Sequence, residues 1–171
     1  MKLFFKIVGG ILAAIVIVMV IGLTAARFND GPLAIVAGGP FTTGELYTGS
    51  EPDWSFVKDM QEVQFQSLDP ARSRTTWILQ VEDRIFIPSG YMTTTWGKIW
   101  KQWPIEAEKN GEAILRIGDT LYERNLVRIK DGPLITPILA EISRKYAGGN
   151  PVPDEAVSSG YLWVFELAPR G

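Results

Sequence analysis

The 171-residue sequence contains no cysteine and no histidine. These absences exclude disulfides, thiolate and imidazole metal sites, cysteine nucleophiles, Ser-His-Asp triads and His-ligated haem. A charge excess is lacking as well. Seventeen basic and 19 acidic side chains leave a net charge of −2, so no basic field exists to attract nucleic acid. Acidic residues occur as local pairs such as Glu82-Asp83 and Glu106 with Glu108, and nothing assigns them long-range partners. Carboxylate-metal and glycosidase chemistry therefore has no specific support. Internal repeats and low-complexity stretches are absent too. With 46% apolar and 21% charged residues, the chain reads as one globular domain plus an appendage.

The appendage is a long hydrophobic run. Ile7 to Ala26 is 20 residues without a charge, about 30 Å as a helix and the thickness of a bilayer's hydrocarbon core. Signal-peptide cores run about 7–15 residues, so a retained anchor is favoured over cleavage after Thr24-Ala25-Ala26. The expected partner of residues 7–26 is the lipid bilayer. Lys2 and Lys6 precede the run, which predicts a cytoplasmic N-terminus and a periplasmic or extracellular C-terminal domain. Gly9, Gly10, Ala13 and Ala14 bring small residues to one helix face, the spacing that allows two anchors to pack as a homodimer. Residues 1–27 are thus read as anchor and 28–171 as domain, with Asn29-Asp30-Gly31-Pro32 as a short linker. Without Lys2 and Lys6 the remaining chain carries 15 basic against 19 acidic side chains, a mildly acidic −4.

Beyond the anchor, strand signals dominate. Glu62 to Gln66 alternates polar and apolar residues. Arg74 to Val81 is β-branched and aromatic, and Glu82-Asp83 separates it from Arg84 to Pro88, which predicts a hairpin. Ala113 to Ile117 and Thr120 to Ile129 flank the turn pair Gly118-Asp119. Tyr161 to Leu167 reads as the last strand. Helices are expected over Thr95–Trp103 and Pro133–Tyr146, the latter stopped by Gly148-Gly149. The glycine-rich run from Gly38 to Gly44 lacks the Lys-Ser/Thr end of a P-loop, so it reads as a loop between strands. Such a set predicts a closed or partly closed antiparallel barrel.

The succession TTWILQVEDRIFIPS, a Lys- and Trp-rich helix, EAILRIGDTLYERNLVRIKD, a helix ending RKY, then WVFELAPR, covers roughly residues 60–170. It resembles the flavin-binding split barrel, the pyridoxamine-phosphate-oxidase-like superfamily with its deazaflavin-dependent branch, and most closely single-anchor bacterial members. That resemblance implies a mainly β protein: an antiparallel split β-barrel with two or three short helices, preceded by one transmembrane helix. It implies FMN or deazaflavin as cofactor and an oxidoreductase activity, while the missing cysteine and histidine leave no metal and no haem expected. Carried over by position, Arg74, Thr75 and Thr76 fall on the first cofactor-facing strand and Ser89 at the end of the second. Lys98 or Lys101 falls on the helix that reaches the phosphate. Trp77-Ile78-Leu79 stands where the oxidases are more basic. A second reading follows from that departure: a non-catalytic envelope binding or assembly module without cofactor.

Arg72, Arg74, Lys98 and Lys101 can act as charge-assisted phosphate donors or as ordinary surface charge. Arg72 and Lys101 are read as surface, while Arg74 and Lys98 stand evenly between the two. Trp96, Trp100 and Trp103 form one helical stripe, the pattern of a core face. Trp100 is alternatively a wall beside a planar cofactor, or the stripe is a membrane-interface belt. Trp77 and Trp163 lie within strand patterns and read as core.

Overall fold

A computed structural model describes residues 1–170. Helix α1 spans Lys2–Ala26, and its side chains are almost all exposed. It is long and apolar enough to cross a membrane. The barrel strands are β1 (Glu45–Leu46), β2 (Glu62–Leu68), β3 (Ala71–Trp77), β4 (Leu79–Val81), β5 (Arg84–Ser89), β6 (Glu112–Ile117), β7 (Thr120–Ile129) and β8 (Trp163–Pro169). They form one curled sheet in the order β3-β2-β6-β7-β8-β5-β4, antiparallel throughout, with β1 added in parallel to the start of β7. Helices α2 (Thr95–Trp100), α3 (Trp103–Lys109), α4 (Ile135–Tyr146) and α5 (Glu155–Ser158) pack around it.

Alternation along the strands builds two cores, one on each face. Val63 and Phe65 of β2, Ile85 and Ile87 of β5 and Phe165 of β8 point inward, where Trp54 and Trp103 fill the barrel. Phe86 and Val164 point outward and are covered by Ile135, Ile138, Leu139 and Ile142 of α4. Burial on both faces explains why β5 reads as a continuous apolar run.

Four expectations need correction. The run Arg74 to Val81 is not one strand of a hairpin, because it breaks at Ile78. There the backbone N–H donates to the Tyr146 hydroxyl at 3.0 Å, and the carbonyl accepts from Lys145 Nζ and Tyr146 Oη, both at 2.7 Å. With its polar groups taken by side chains of α4, Ile78 leaves the ladder; β3 pairs with β2 and β4 with β5. The helix expected over Thr95–Trp103 is two helices. Proline has no N–H and its ring crowds the carbonyl four residues back, so Pro104 opens α3 instead of continuing α2. The tryptophan stripe divides with it: Trp103 is core, whereas Trp96 and Trp100 are exposed. Trp77 is half exposed as well and stacks on Tyr146 with ring centroids 4.2 Å apart.

Candidate functional site

The curled sheet is open along one seam. Its edge strands β3 and β4 are adjacent in sequence but point to different partners. β4 covers only Arg84 to Phe86 of β5, so Pro88 and Ser89 run on without it. A cleft of about 580 Å³ lies where Pro88 and Ser89 face Arg72, Arg74, Thr75 and Thr76 of β3. The last turns of α1 close one side through Val20, Leu23, Thr24 and Arg27, while Trp100, Lys101 and Trp103 close another. A second cleft of about 660 Å³ adjoins it, sharing Thr75, Thr76, Pro88 and Lys101 and extending to Trp77, Tyr91 and Tyr161.

Four cations and no carboxylate line the first cleft: Arg27, Arg72, Arg74 and Lys101. Arg74 has Glu106 behind it at 3.6 Å, too far for a hydrogen bond, and the nearer Glu106 oxygen is buried without a partner. Among the described residues Arg27, Arg72 and Lys101 form no ion pair. Burial lowers the pKa of Lys101 and of Arg72, and the like charge of Arg27 lowers that of Arg72 further. Burial also lowers Arg74, opposed by Glu106 and reinforced by Arg72. Cations crowded together at a shared loss of hydration favour an incoming anion. The hydroxyl of Ser89 is buried and donates only to the Met92 sulfur at 3.4 Å, a weak acceptor.

The exit of α1 is clamped to the barrel beside this cleft. Asp30 accepts from Thr43 Oγ1 at 2.5 Å, from the Thr42 N–H at 2.7 Å and from Arg116 at 3.1 Å. The Thr43 hydroxyl is the main cause that holds the Asp30 carboxyl at a pKa of about 2, and Arg116 assists. The Arg116 guanidinium also lies 4.0 Å from the centroid of the Phe41 ring. Gly38 and Gly39 let backbone approach backbone. Gly38 bridges Ser73 of β3, and a Cβ on Gly38 would stand 1.8 Å from the carbonyl oxygen of Gly31. The glycine-rich run is thus a clasp between the end of α1 and the barrel, and the segment Asn29 to Pro32 is docked on the barrel by it.

No family model matches the chain, and no curated protein is similar to it in sequence. Among solved structures, the conserved hypothetical protein Rv2991 from Mycobacterium tuberculosis superposes with a TM-score of 0.50 at 12% identity. The match covers 76% of this chain and 87% of that one. The chain has a split-barrel fold. Likeness at this identity carries architecture, and the split barrel's site must be argued from its own residues.

Of the residues singled out in the sequence, the split barrel brings Arg74, Thr75, Thr76, Ser89 and Trp100 to one cleft. Lys98 is elsewhere, exposed on α2 and outside both clefts. Lys101 takes its place, and Arg72, read as surface charge, lines the seam with it. Arg72 and Arg74 stand two apart on a strand, so one face holds both, a signal that was available from the period alone. Lys101 had no such signal, since its placement depends on the chain turning between α2 and α3. Arg27 reaches the cleft only because the clasp folds the end of α1 onto β3.

Proposed function

We propose that this chain is a bilayer-anchored split barrel whose seam cleft binds a phosphate-bearing flavin, FMN or its deazaflavin counterpart, and that it serves as an oxidoreductase. The observation that carries this reading is a cleft with four cations and no carboxylate, in a chain whose portion beyond Lys6 is net acidic. A phosphomonoester brings about 1.5–2 negative charges at neutral pH. Arg72, Arg74 and Lys101 would hold that charge, with Thr75, Thr76 and Ser89 as hydroxyl donors. Trp100 and Trp103 in the first cleft, and Trp77 and Tyr91 in the adjoining one, offer faces to a planar ring system. The donor set therefore suits an elongated ligand that is planar at one end and anionic at the other.

A bound flavin supplies electron-transfer chemistry that side chains without histidine or cysteine do not. The chain's own residues would bind the phosphate and orient the ring against aromatic walls. Lys2 and Lys6 would keep the start of α1 in the cytoplasm and place the barrel across the membrane. The reading is tested by fluorescence titration of the full chain with FMN and with riboflavin, which lacks the phosphate. A cofactor-free binding module is the second reading. It draws on Glu106, which already offsets part of the Arg74 charge.

A further inference from the structure

We propose that α2 is a second membrane contact, with Trp96, Ile99 and Trp100 inserted at the headgroup–acyl boundary of the leaflet from which α1 emerges. The inference rests on the reading of α1 as an anchor and adds a surface that reading does not require. Trp96, Ile99 and Trp100 are 76%, 65% and 65% exposed, three large apolar side chains on a helix of six residues. Phe28 and Ile35, on the segment that leaves α1, are 86% and 84% exposed. The core takes Trp103 from the same region, so these side chains face outward while a buried position lies within reach of the stripe.

Their depth follows from the anchor. Trp100 lines the same cleft as Val20, Leu23 and Thr24 of α1. Val20 lies seven residues before Arg27, about 10 Å along the helix axis. An uncharged run of about 30 Å fills the hydrocarbon layer and leaves Arg27 at its edge. Trp100, which lines one cleft with the last turns of α1 and with Arg27, is then near that edge, the zone in which interfacial helices bury their apolar face. Tryptophan prefers this zone, and Lys98, Lys101 and Arg27 are at hand for the phosphates above it. The seam cleft consequently opens at the level of the headgroups.

Depth-resolved quenching tests this surface. The full chain is reconstituted into phosphatidylcholine/phosphatidylglycerol vesicles, plain or with phosphatidylcholine brominated near the top of the acyl chain. All six tryptophans lie outside α1, so emission reports the barrel alone. With two of six tryptophans in the boundary, brominated lipid should remove about a third of the emission. Trp96→Phe/Trp100→Phe keeps the apolar face and should lose nearly all of that quenching while floating with the vesicles as before. Equal emission in plain and brominated vesicles would overturn the proposal. So would undiminished quenching of the double variant, or a cross-linked dimer joined through α2 in place of quenching. Flotation reports α1 separately: a chain that does not float removes the anchor and this proposal together, whereas one that floats unquenched removes only the α2 contact. Flavin binding enters neither readout.

Discussion

Replacing Lys101 by methionine removes an ammonium from the seam cleft and keeps an unbranched stem of similar length. In the free protein that ammonium is half-buried and has no carboxylate partner among the described residues. Burial holds its pKa below the usual 10.5, so folding disfavours the charged form. The unfolded chain therefore binds the proton more tightly, and this group's contribution to stability rises with pH from its lowered folded value towards 10.5. Lys101→Met should abolish that alkaline rise. At neutral pH, without ligand, its stability should be unchanged or raised by up to about 1 kcal/mol. FMN affinity should fall by about 1.5–3 kcal/mol, roughly ten- to 150-fold, as one charge-assisted donor is lost. Arg124 provides the contrast, because it is buried, pairs with Glu51 at 2.8 Å and lies 4.7 Å from the Trp54 ring centroid. Arg124→Met should cost about 1–3 kcal/mol, since the Glu51 it leaves behind is partly solvated. Denaturant melts of the full chain in detergent, with and without FMN, measure all of these quantities. A loss above about 1 kcal/mol for ligand-free Lys101→Met would show that the fold itself uses the ammonium, and the argument from an unpaired cation would fail.

Tyr146→Phe should keep the stack on Trp77 but orphan the buried Ile78 N–H, costing about 1–3 kcal/mol and lowering Tm by roughly 3–10 °C. A change under about 1 °C would show that the strand break does not depend on that hydroxyl. Asp30 has a folded pKa lowered from 3.8 to about 2, so its contribution is fully present above 3.8 and is lost as pH falls through about 2. Asp30→Asn should lack that part of the acid-unfolding limb, and identical limbs in variant and wild type would refute the clamp.

The parts of the fold legible in the sequence are those specified locally. Gly118-Asp119 announces the β6–β7 hairpin, and Gly118 takes a φ of +58°, which a turn glycine allows. Helix α4 follows from its apolar period and ends before Gly148-Gly149. The break at Ile78 was not legible, because the groups that cause it lie on a helix 67 and 68 residues away. The expected helix stops immediately before Pro104, but α2 already ends at Trp100 and Trp103 opens α3, a break that the tryptophan period runs across. Apolar periodicity also records only that a face avoids water. It does not say what covers that face, and Trp103 is buried in the core while Trp100 is exposed. At the cleft, Arg72 and Arg74 lie on one face because a β period brings alternate residues together, and that much was legible. Lys101 lines the cleft and Lys98 does not, because helix ends and the loop after them decide where a long side chain goes.

The most direct test of the central claim is the paired titration of the full chain with FMN and riboflavin, read by flavin fluorescence, in wild type and Arg74→Ala. The cationic seam predicts FMN binding at tens of micromolar or tighter, with riboflavin at least about tenfold weaker. Arg74→Ala should weaken FMN by about ten- to a hundredfold and leave riboflavin nearly unchanged. Equal affinities for the two flavins would contradict the phosphate role of the cleft. Failure of FMN, riboflavin and a phosphate-bearing deazaflavin alike would contradict the flavin reading and leave the cofactor-free module.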